Sequence, residues 1–157
     1  MTHRWLFVLA TSLAACGGQV GASAAQSATA EPAAAAEAVV QDFLGAVADS
    51  NLTRMAELWG TAKGPAARTR EPADYDRRVI IMQAYLRDTP FRIMSNTQDG
   101  TNVDRRVIQV EFRRRDCEKL VPFVLIRADR GAWLINSIDL ARLGSPGATC
   151  DDPTSSP

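Results

Sequence analysis

Few groups in this chain could do covalent chemistry. Of its 157 residues three are cysteines, Cys16, Cys117 and Cys150, and one is a histidine, His3. Cys117 and Cys150 are too far apart in sequence to be a catalytic CxxC pair. Gly60-Thr61-Ala62-Lys63-Gly64 has the glycines and the lysine of a phosphate loop. It lacks the Lys-Ser/Thr ending and the preceding strand that such a loop needs to cradle phosphate on backbone N–H groups, so it reads as a surface loop. Arg105-Arg106 and Arg113-Arg114-Arg115 form two basic runs. They read as a solvated strand surface, the alternative being a contact with lipid headgroups, lipopolysaccharide or an acidic protein. Asp151-Asp152 has no supporting oxygen ligands for calcium. Lys plus Arg and Asp plus Glu number 18 each, so the chain lacks the basic excess of a nucleic-acid binder. No residue set calls for a metal or a cofactor.

Cys16 has the most telling surroundings. His3 and Arg4 make a short basic start, and Trp5 to Ala15 is an apolar or small-residue run of eleven. That is the length of a signal-peptide core and too short to span a bilayer of about 30 Å as a helix. The run ends in Leu13-Ala14-Ala15-Cys16-Gly17, which resembles the lipobox of bacterial lipoproteins. The resemblance implies cleavage of residues 1–15 and lipid on the Cys16 sulfur, with two or three acyl chains giving stable anchoring. No aspartate follows the cysteine, which in a two-membrane bacterium favours the outer membrane. The mature chain then has no histidine, which excludes Ser-His-Asp and Cys-His mechanisms. An oxidising compartment also leaves Cys117 and Cys150 as an even pair, for which we expect a disulfide. It would close a loop of roughly 34 residues, a constraint of about 4 kcal/mol on the unfolded chain.

The elements that position these residues follow from hydrophobic spacing. Residues 16–36 are Cys16 followed by small and polar residues, read as a lipidated flexible linker with a reach of roughly 25 Å. Alanine accounts for 13 of the first 38 residues, and this run could extend the first helix backwards. Val39, Val40, Phe43, Leu44 and Val47 make one apolar helical stripe. Leu52 to Trp59 makes a shorter helix stopped near Gly60, and Gly60 to Arg70 reads as a loop. A third helix is expected from Glu71-Pro72, carrying Tyr75, Val79, Met82 and Leu86 at helical spacing. Four strands follow: Phe91 to Gln98, Val103 to Arg115, Leu120 to Arg127, and Ala132 to about Leu140. Asp116 to Lys119 is a polar connection, and residues 145–157 are a tail for the disulfide to pin. The fold class is α+β, with three N-terminal helices packed on a curved antiparallel four-stranded sheet.

With its Phe43-Leu44-Gly45-Ala46-Val47 helix, its second helix ending in Leu58-Trp59, and a meander closing on Gly131-Ala132-Trp133-Leu134-Ile135, the region 37–144 resembles the NTF2-like, cystatin-like-cone superfamily. That resemblance implies a sheet curled round the long helix, leaving a conical pocket. Trp59, Tyr85, Arg113, Trp133 and Asp139 are its candidate lining residues. Enzymes of the superfamily resembling ketosteroid isomerase pair a carboxylate base with a tyrosine or protonated acid, a role for which Asp139 and Tyr85 are candidates. Against this, the first helix presents only Val, Phe and Leu inward, and the two tryptophans are most simply core anchors. The favoured expectation is a non-catalytic binding module for an envelope protein or a small apolar ligand, the alternatives being a pocket enzyme and a structural accessory subunit. The third strand, Val121-Pro122-Phe123-Val124-Leu125-Ile126, is apolar on both faces. Its outer face needs cover from sheet curl, the tail, or a second chain in a homodimer. Pro122 implies an edge or a bulge.

Overall fold

The computed structural model describes residues 20–114 and 117–146, with side chains from residue 30 onward. The expected signal segment, Cys16, Cys150 and most of the tail lie outside them. Helices come first and a four-stranded antiparallel sheet follows, so the molecule is α+β.

Helix α1 (Val20–Ala48) buries Ala36, Val40, Phe43, Leu44 and Val47, which recur at helical spacing along one stripe. It starts within the stretch expected to be a flexible linker. Alanine is the best helix former and gives up no side-chain freedom, so this segment continues the helix without an apolar face of its own. Packing also begins early, since Ala36 is fully buried and Asn96 reaches the Ala33 carbonyl at 2.8 Å. Helix α2 (Leu52–Leu58) is capped by Asn51, whose side chain accepts from the Arg54 N–H at 3.0 Å.

The stretch expected to be a loop contains a small hairpin, β1 (Gly60–Thr61) with β2 (Gly64–Pro65), and one helical turn, α3 (Ala66–Thr69). Gly60 is required there: a Cβ would run into the Gly64 carbonyl and come within 2.9 Å of the Pro65 Cα. Helix α4 (Tyr75–Leu86) starts later than the expected Glu71-Pro72. Glu71 is instead held by Lys63 at 3.1 Å, which ties this segment back to the hairpin. Val79, Met82 and Leu86 are buried, as their spacing predicts. The described residues thus hold four helices rather than three, the extra one being the single turn α3.

Strands β3 (Phe91–Asp99), β4 (Asn102–Arg114), β5 (Cys117–Arg127) and β6 (Trp133–Ile138) form a meander in that order. Ile108, Val110 and Phe112 face the helices opposite Phe123, Val121 and Lys119. The Phe112 ring lies 6.1 Å from that of Phe123 and 6.4 Å from that of Phe91. Strand β5 starts at Cys117, in the expected connection, because backbone pairing continues through polar residues: Arg114 pairs with Cys117 and Arg113 with Glu118. β6 ends at Ile138, and a 3-10 turn (Leu140–Leu143) replaces the end of the expected strand. Pro122 belongs to an interior strand but falls where β6 gives out. The Asp139 N–H donates to the Pro122 carbonyl at 3.2 Å, just past the last paired residue, so the missing donor costs no ladder bond. Register shifts interrupt the ladders at Ile93/Ser95, Gln98/Asp99 and Val124/Leu125.

Candidate functional site

The end of α2, the body of α4 and the end of β6 enclose a hollow of about 450 Å³. Trp59 sets its floor. It ends α2, bridges to Ile135, and donates its indole N–H to the Asn136 carbonyl at 3.2 Å. The Asn136 amide returns a bond to the Gly60 carbonyl at 3.0 Å. This reciprocal clasp between the α2–β1 corner and β6 holds the indole in one orientation. Met82 from α4 and Ile138 and Leu140 from the far wall complete an apolar surface, with Ile81 on the lip. Ile81 is 41% exposed, on a helix whose buried stripe runs through its neighbours Val79 and Met82.

The rim is charged. Asp74 accepts from the Arg78 Nε on both carboxylate oxygens, at 3.0 and 3.1 Å. That bond holds the Asp74 carboxyl below its ordinary range, with Arg78 and Arg77 adding attraction through space. Arg77 points to the same hollow, and it makes no hydrogen bond or ion pair among the described residues. Asp76, the other acid of this turn, belongs to the opposite side of α4, against Leu52 and Ile80.

Of the five candidate pocket residues, Trp59 alone lines this hollow. Asp139 is bound to Arg142 at 3.0 Å on the surface. Tyr85 is half-buried further along α4. Trp133 is a buried core residue at the start of β6, opposite Arg127. Arg113 faces away from the helices and pairs with Glu118 at 3.0 Å. Strand alternation instead directs its neighbour Arg114 inward. The Arg114 guanidinium donates to the Tyr85 carbonyl, to the Leu143 carbonyl at 3.3 Å and to the Ser145 carbonyl at 3.4 Å. It thereby satisfies the C-terminal ends of α4 and of the 3-10 turn. Burial lowers the Arg114 pKa, and nearby Tyr85 opposes that shift. The residues missed from sequence include the rim residues Asp74, Arg77 and Arg78, the apolar Ile81, Ile138 and Leu140, and Asn136. The Asp74–Arg78 pair carries a visible signal, its i,i+4 spacing on a helix.

Cys117 opens β5 half-buried, and Cys150 lies outside the described residues. Among the described residues no group of three or more His, Cys, Asp or Glu could hold a metal ion, and no helix is long and apolar enough to cross a membrane. The chain matches no family model, and no curated protein or solved structure matches it at a significant level.

Proposed function

We propose that this chain is a bacterial envelope lipoprotein, anchored through Cys16 in the outer membrane and facing the periplasm. Its NTF2-like domain serves as a non-catalytic binding module. The sequence Leu13-Ala14-Ala15-Cys16 supports the anchor. A disulfide between Cys117 and Cys150 pins the tail. One observation carries the binding role: the hollow over Trp59 has an apolar floor and an exposed isoleucine on its lip, while its one carboxylate is committed to Arg78. Its volume falls in the lower part of the range of about 300–1,000 Å³ in which small-molecule sites lie. A base that is hydrogen-bonded to a guanidinium and held ionised is poorly suited to take a proton from a substrate.

NMR titration of the chain with octanol tests the binding role. A saturable shift of the Trp59 indole signal, abolished by Ile81→Glu, is expected. An unmoved Trp59 signal up to the solubility of the alcohol overturns it. Mass spectrometry of the native protein tests the anchor: an unprocessed Met1 without fatty acid refutes it.

The outer sheet face favours a second reading, a homodimer. Leu120 there is 46% exposed and continues into the half-buried Pro122, Val124 and Ile126. Light scattering should then show a dimer that Val124→Lys converts to a monomer, whereas a monomer at high concentration removes the idea.

A further inference from the structure

We infer that the hollow over Trp59 takes a small amphipathic anion, with Arg77 supplying the counter-charge to its head. This inference rests on the ligand-binding reading above and names the ligand's chemical class.

Two observations converge on it. The first is the geometry of α4. Asp74 to Arg78, Arg77 to Ile81 and Arg78 to Met82 are each four residues apart, so charged and apolar side chains follow one another along one side of the helix. Arg77 stands one turn before Ile81, and both border the same hollow. A molecule laid along this wall meets charge at one end and Ile81, Met82, Ile138 and Leu140 along its body. The second is charge accounting. The rim carries two guanidiniums and one carboxylate, and the carboxylate is doubly hydrogen-bonded to Arg78. Arg77 attracts the same carboxylate only through space and makes no hydrogen bond or ion pair among the described residues. Asp76, the nearest further acid on the helix, faces the other side. An anionic head answers the remaining positive charge, and a cationic head would add to it.

The test uses three probes with one aliphatic body, octanoate, octanol and octylammonium, followed at the Trp59 indole signal by NMR. Octanoate is expected to shift that signal saturably. Arg77→Gln should weaken octanoate by about fivefold, the upper end for an exposed ion pair, and leave octanol unchanged. Arg77→Glu should turn the preference toward octylammonium. Salt at about 1 M, where the Debye length falls to about 3 Å, should remove the octanoate advantage. Arg77 is exposed, and unchanged Trp59 and Trp133 signals without ligand will show that the variants fold. If Arg77→Gln leaves octanoate unaffected, or weakens octanoate and octanol alike, the assigned head contact is wrong while the apolar site stands. If no probe moves Trp59, the binding reading itself falls. A chain that ignores octanoate but binds anionic phosphatidylglycerol vesicles through Arg77 uses that residue at a membrane surface, which also overturns the assignment.

Discussion

Arg77 and Arg114 carry the same guanidinium to opposite ends of α4. Arg114 comes in from the last paired stretch of β4, loses part of its solvent, and gives its donors to three main-chain carbonyls. Arg77 stands in solvent at the first turn, beside a carboxylate already bound to Arg78, with its own donors uncommitted among the described residues. Burial and donor satisfaction therefore separate a cation that closes the fold from one that a ligand can use. Charge alone does not, because both residues come from runs of two or three arginines in sequence.

The largest expected effect falls on the committed member. Arg114→Met removes a charged donor and leaves the Tyr85 and Leu143 carbonyls unanswered at partly buried positions, so unfolding in urea should show a loss of about 2–3 kcal/mol. Arg114→Lys should recover only part of this, since an ammonium lacks the planar fork that reaches several acceptors at once. A loss below that of an ordinary surface substitution would mean that the two helix ends hold without the clip.

Trp59→Phe comes next, because it tests the floor that Arg77 overlooks. The ring is largely kept while the bond to the Asn136 carbonyl is lost, at a cost of about 1–2 kcal/mol by the same measurement. Arg77→Gln is expected to change stability by no more than about 0.5 kcal/mol. A loss comparable to that of Arg114→Met would place Arg77 in the fold rather than at a ligand.

The contrast also shows what could be read in advance. Ile108, Val110 and Phe112 announce their strand because alternation is a local property, and Val40, Phe43 and Val47 announce their helix for the same reason. The arginine run 113–115 carries no such signal, since all three residues are alike and only the pairing register decides which faces inward. Sequence offers Arg113 as the pocket candidate, whereas the register turns Arg114 inward. The start of β5 was hidden because ladder bonds belong to the backbone and tolerate Cys117, Glu118 and Lys119. For residues 20–36 the alanine content points to a backward extension of the helix, but a stretch of alanine and small polar residues has no apolar period to show how far it runs. Trp59 was legible as an aromatic anchor. Ile81, 22 residues on, and Ile138 and Leu140, about eighty residues on, join it through tertiary packing, which no local spacing records.

The smallest effect concerns Asp74, and pH resolves it. The Arg78 hydrogen bond lowers its pKa below the ordinary 3.8, so the unfolded chain binds this proton at a pH where the folded chain does not. Stability from the pair is therefore fully present above the ordinary value and declines as pH falls through the depressed one. The carboxylate is solvent-exposed, which keeps the contribution slight. Arg78→Gln should return Asp74 toward its ordinary range. The stability difference between the native chain and this variant, followed by urea unfolding from about pH 7 to about pH 2, should be constant at first and then shrink on the acid side. A difference that stays level over the whole interval would mean that Arg78 supports α4 without Asp74. Arg78 would then be a second rim cation open to a ligand, and the distinction between it and Arg77 would disappear.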